Sequence, residues 1–143
     1  MPVQSLREIT RDILGMTEQI LRAGTPPIDQ QHLADLRKKV ALAHNDFFAE
    51  QERVLLRPLR QSGDPALAAI ARCCVERDLE GRQLGLVHYQ RWTLARIVDD
   101  PAGYREEVRN ILRWMEARVV YAEQTAYPAL VKIISSTQRH PAV

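Results

Sequence analysis

Apolar residues return along this chain at intervals of three and four, in four stretches set apart by proline- and glycine-bearing breaks. Leu6, Ile9, Ile13, Met16 and Ile20 mark one face of a first helix. It is expected to open at the capping box Ser5-Leu6-Arg7-Glu8 and to stop at Ala23-Gly24, before the stiff connection Thr25-Pro26-Pro27. A second helix is predicted from between Ile28 and Gln31 to about Gln61, with Leu33, Leu36, Val40, Ala43, Phe47 and Leu55 inward. Gln51 is the polar member of that stripe, and His44 and Phe48 stand one step around it. Pro58 should bend the last turn, because it deletes a ladder N–H and crowds the carbonyl four residues back.

The third stretch opens on Ser62-Gly63-Asp64-Pro65, a turn followed by an N-cap and a first-position proline. Nothing in the pattern breaks it before Asp99, although Gly81 and Gly85 weaken its middle by about 1 kcal/mol each. Leu67, Ile70, Cys74, Leu84, His88, Ala95 and Val98 form its inward stripe. Asp100-Pro101 repeats the cap-then-proline device and starts a fourth helix, predicted to run to about Ile134. Val108, Leu112, Met115, Val119, Ala122, Ala126, Leu130 and Ile133 face inward there, with Arg118 beside the seam; residues 135–143 read as a frayed tail. No period-two strand pattern survives. The expectation is one all-α domain over residues 1–143, an antiparallel up-down-up-down four-helix bundle.

The chain also repeats itself. Setting Pro58 against Pro128, seventy residues later, aligns L-R-P-L (56–59) with A-Y-P-A-L (126–130), each after a long amphipathic helix with acidic residues near its end. With I-T-R-D (9–12) in the first helix, these endings and the helix order resemble the hemerythrin-like family, the HHE cation-binding four-helix bundles, over nearly the whole chain. The resemblance implies a metal centre at the middle of the bundle, held by His and carboxylate side chains from all four helices.

Carried over position by position, most of that ligand set is replaced. The resemblance expects His at Ile13, ten residues before Pro58 at Phe48, and ten residues before Pro128 at Arg118; a fourth-helix acid falls on Ala122. Glu52 and His88 match their expected positions, and Trp92 stands a turn after His88. Ile13 and Phe48 cannot ligate, and a permanent guanidinium repels a cation. His44 sits one turn before the family's position, so His44, Glu52 and His88 make an incomplete metal set, with iron as the alternative cofactor to none. A carboxylate left without its metal needs a counter-charge. Arg118 is expected to supply it by pairing with Glu52 across the bundle, or with Glu123.

Composition narrows the function further. The 143 residues are 45% apolar and 27% charged, ample for a core in a globular domain. The net charge of +2 comes from 20 basic and 18 acidic residues spread through the chain, with no basic face beyond Arg37-Lys38-Lys39, which argues against nucleic acid. No uncharged run approaches the roughly 18 residues that span a bilayer, and the N-terminus lacks an apolar signal core. Cys73 and Cys74 are adjacent on a helix, about 100° apart, and do not bridge, so a cytoplasmic setting is expected. They have no local His to activate them, and Phe47 and Phe48 crowd His44 against a phosphotransfer role. The expected function is therefore non-enzymatic: a structural or regulatory module that self-associates or meets a protein partner, with Trp114, Tyr121 and Leu94 on the candidate surface; the alternative the resemblance implies is an iron- or oxygen-binding bundle with a rearranged ligand set.

Overall fold

Three aspartates set where the long helices begin. Asp29 accepts a hydrogen bond from the His32 N–H, Asp64 from Ala66 and Asp100 from Gly103, each satisfying an N–H that has no partner within its helix. The computed structural model describes residues 2–139, which are helical almost throughout and contain no strand, so the class is all-α. In chain order they form α1 (Gln4–Ala23), α2 (Gln30–Gln51), a π-helical turn (Glu52–Leu56), α3 (Arg57–Gln61), α4 (Pro65–Arg91), α5 (Leu94–Asp99), α6 (Pro101–Tyr121), a second π-helical turn (Ala122–Ala126) and α7 (Tyr127–Arg139). Because α2 runs through its π turn into α3, and α6 into α7, the described residues make five helical runs, four long and one short.

The two π turns carry the internal repeat into the structure. In both, the residue before the proline reaches back five positions: Arg57 N–H to the Glu52 carbonyl, and Tyr127 N–H to that of Ala122. A proline ring in a helix crowds the carbonyl four residues back and offers it no donor. Widening the turn just ahead of the ring relieves that crowding. The bend expected at Pro58 is thus taken up as a wider turn, and the same happens ahead of Pro128.

Three boundaries differ from the sequence pattern. α1 begins at Gln4 with Val3 at its N-cap and no side-chain cap, so Ser5 lies inside the helix and not at its start. Val3 is 1% exposed. Burying a valine contributes about 1.5–3 kcal/mol against roughly 1 for a cap, and the packing wins. The third helix also breaks before Asp99: Trp92 leaves the helical conformation and Thr93 caps α5 by accepting from the Arg96 N–H. The break resets the helical phase. Trp92 and Ile97 become the buried residues there, while Ala95 and Val98 face solvent. At the far end the helix passes Ile134 and continues to Arg139, whereas 140–143, with His140 and the end of the expected frayed tail, lie outside the described residues.

The core is divided. One cluster gathers Val3, Leu6, Leu55, Leu59, Cys74, Ala126 and Leu130, and a second gathers Ile20, Leu33, Leu36, Trp92, Ile97, Tyr104 and Val108. Between them the inward residues Val40, Phe47 and Met115 are only partly buried. α1 packs against α2 and α6, and α4 against α6; among the described residues, α2 and its continuation meet α4 closely only through the π turn and α3. The seam between α2 and α4 is therefore tight at one end and spread along the rest. No helix of the described residues is long and apolar enough to cross a membrane.

Candidate functional site

The space between the two clusters is a cavity of about 990 Å³, walled by residues from α1, α2, α4 and α6. Its walls are mostly apolar: Ile13 and Leu14, Val40 and Phe47, Gly85, and Ile111 and Met115. Its lining includes the exposed residues Arg82, Leu86 and Tyr89, so the space opens to solvent. The space is therefore one that solvent or a ligand fills, and its size falls at the upper end of small-molecule sites, which run to about 1,000 Å³.

At the end nearer the π turns, Arg118, Asp78 and Gln51 close on one another. Arg118 Nε donates to Asp78 Oδ1 at 2.9 Å, its Nη2 donates to Gln51 Oε1 at 2.7 Å, and Gln51 Nε2 donates to Asp78 Oδ2 at 2.7 Å. All three side chains are buried, Gln51 most completely. Burial works against the guanidinium's charge, but the Asp78 carboxylate and its hydrogen bond outweigh it and raise the Arg118 pKa. A buried charge pair of this kind holds only when its polar atoms find good partners, and the ring supplies them to Nε and Nη2 of Arg118, both Asp78 oxygens and both polar atoms of Gln51.

That arrangement corrects the expected ion pair. Arg118 does turn inward, but its carboxylate partner is Asp78 and neither Glu52 nor Glu123. Glu52 lies toward the surface in an ion pair with Arg60, and Glu123 pairs with Arg7 at 2.9 Å. The reason is helical phase: Asp78 lies one turn beyond the buried Cys74 and continues its stripe, while Glu52 and Glu123 fall on the outer sides of their π turns. The spacing 74–78 was the available signal for Asp78; its charge excluded it from an apolar stripe.

At the opposite end the centre is Glu107. It accepts from Trp92 Nε1 at 2.7 Å and Arg91 Nη1 at 3.2 Å, and meets His88 Nδ1 at 3.3 Å. Burial pushes the Glu107 carboxyl up, but the Trp92 and His88 hydrogen bonds and the His88 and Arg91 charges more than offset this and hold it below the usual carboxylate range. His88 stacks on Tyr104, with ring centroids 5.4 Å apart. Beside them Arg37 lies over the rings of Tyr89 and Tyr104, at 4.5 and 5.8 Å, and its Nη2 is buried with no hydrogen-bond partner. Glu107 and Tyr104 did not stand out in the sequence, and Arg37 did only as part of the basic cluster Arg37-Lys38-Lys39, because only the packing of α2, α4 and α6 brings them together.

His44, His88 and Glu52 do not form a site together. His44 Nδ1 donates to the Val40 carbonyl at 2.9 Å, His88 is engaged with Glu107, and Glu52 with Arg60. Burial lowers the pKa of both histidines, so each is held neutral near pH 7. Among the described residues no three His, Cys, Asp or Glu side chains converge as a metal ion would require. The residues present do not fit a di-metal centre: Ile13 and Phe48 line the cavity, and Asp78 is engaged by a permanent cation.

The expected partner surface also changes. The Trp114 ring lies against Gly81, Tyr121 packs on the first core cluster beneath Arg77, and Leu94 packs on the second cluster. These side chains are taken up internally. The exposed large apolar residues are others, including Leu42, Leu79, Leu86 and Tyr89. No family model matches the chain, and no curated protein or solved structure matches it either.

Proposed function

We propose that this chain is an antiparallel up-down-up-down four-helix bundle of the hemerythrin-like kind whose metal centre has been replaced, leaving a non-enzymatic binding module. The observation that carries this reading is the Arg118–Asp78–Gln51 ring, which sets a guanidinium ten residues before Pro128, where the resemblance expects a histidine ligand. Two further features support it: matched π turns ahead of Pro58 and Pro128, and hydrocarbon or aromatic side chains at Ile13 and Phe48. The chemistry left at the centre is that of binding. A permanent internal ion pair neither activates water nor stabilises a developing charge, because its two charges are already paired with each other. The free thiols of Cys73 and Cys74 agree with a reducing, cytoplasmic setting.

Metal analysis of protein purified without chelator tests the reading. It expects no stoichiometric transition metal. Stoichiometric iron that disappears in His88→Gln or Glu52→Gln protein would overturn it.

A further inference from the structure

The cavity's charges do not cancel. Five arginines are among its lining residues, Arg7, Arg11, Arg37, Arg82 and Arg118, against two acids, Asp78 and Glu123. Arg7 is engaged by Glu123 and Arg118 by Asp78. Arg11, Arg37 and Arg82 form no ion pair among the described residues, and the two lining histidines are held neutral. A long apolar space with three uncompensated cations at its walls is complementary to an amphiphile of opposite sign.

We propose that the cavity binds a long-chain carboxylate, with its hydrocarbon chain between α1, α2, α4 and α6 and its carboxylate on Arg37. Arg37 is chosen over Arg11 and Arg82 because it is the least exposed of the three and its Nη2, covered in this structure, has no hydrogen-bond partner, so the side chain gains by turning toward a ligand. A carboxylate would give that guanidinium the charge-assisted bonds that two aromatic faces do not supply. The wall chemistry suits the chain: Leu14, Ile111 and Met115 present hydrocarbon and thioether surface, and at Gly85 a Cβ would meet nothing within 4 Å.

An entrance follows from the spread seam. Along it α2 and α4 are bridged by two reciprocal contacts, Arg37 of α2 over Tyr89 of α4 and Arg82 of α4 over Phe48 of α2, the latter 3.8 Å from the ring centroid. Tyr89 and Leu86 at this rim are exposed. Cation–π contacts at a wet rim are weak and re-form readily, so a ligand enters by parting side chains without separating packed helices. This inference rests on the cavity and not on the fate of the metal centre. Iron in the purified protein would overturn the reading above and leave this one standing.

The probe is dodecanoate, titrated by calorimetry into delipidated full-length protein below its micellar concentration, beside 1-dodecanol. Saturable binding at one per chain is expected, with a raised unfolding temperature, and both dodecanol and Arg37→Gln protein should bind about tenfold or more weakly. Gly85→Leu, which narrows the cavity from α4, should weaken binding about tenfold or more; Ile111→Trp narrows it from α6 and serves if the first variant does not fold. Absence of saturable binding, binding unchanged in both narrowed variants, or equal affinity for the acid and the alcohol would each overturn the proposal.

Discussion

Arg118 carries a charge that the surrounding side chains must hold, and Asp78 and Gln51 do so through hydrogen bonds. Replacing it by methionine would keep much of the volume but strand the Asp78 carboxylate in the interior. Loss of one member of a buried pair costs about 3–5 kcal/mol, and Arg118→Met should lower stability by that order in urea unfolding. Adding Asp78→Leu should recover much of the loss, since the stranded charge and not the lost contact dominates the cost. The histidines give a second measure at this scale. Burial sets the folded pKa of His44 and His88 below the unfolded value of about 6.5, so the unfolded chain binds more protons between the two values. Stability is therefore full above about pH 6.5 and falls as pH drops from there toward the folded pKa values. A His44→Gln, His88→Gln double variant should show a flatter urea midpoint between pH 7.5 and 5.5. The Glu107 contribution does not confuse the comparison, because a lowered carboxyl pKa is felt only below about pH 4.3.

Among the elements, α4 carries two glycines of opposite character. A Cβ at Gly81 would stand 2.6 and 2.9 Å from Cζ3 and Cζ2 of the Trp114 ring, whereas one at Gly85 would meet nothing. Gly81→Ala should therefore destabilise by about 1–3 kcal/mol through overpacking. Gly85→Ala should stabilise by up to about 1 kcal/mol through helix propensity alone. Thermal or urea unfolding of the pair reads the difference in sign. The sequence shows two equivalent helix-weakening residues; their difference depends on a tryptophan thirty-three residues away. Helix starts at Asp64 and Asp100 were legible because a cap is a local hydrogen bond, while the start at Asp29 was bounded only to between Ile28 and Gln31. The break at Trp92–Thr93 was not, since it follows from Trp92 burying its ring and reaching Glu107.

At the level of the whole molecule, stability is concentrated in two end clusters with a cavity between them. Ile97 is fully buried in the second cluster, while Ile111 borders the cavity and is partly exposed. Ile97→Ala should cost about 2–5 kcal/mol, and Ile111→Ala clearly less, since a side chain already facing open space gives up fewer contacts on truncation. Chemical denaturation of the two variants checks this. Equal losses would show that the middle is as tightly packed as the ends.

By itself the sequence determined what depends on near neighbours along the chain: the helical class, most capped ends, the inward turn of Arg118, and the paired prolines whose rings force the wider turns. Only the tertiary structure decided what depends on opposing surfaces. The inward stripes pointed to one continuous core, yet the seam between α2 and α4 spreads and leaves the middle open. Arg118 finds Asp78 and not Glu52, because a buried charge pairs with whichever carboxylate the packing carries inside.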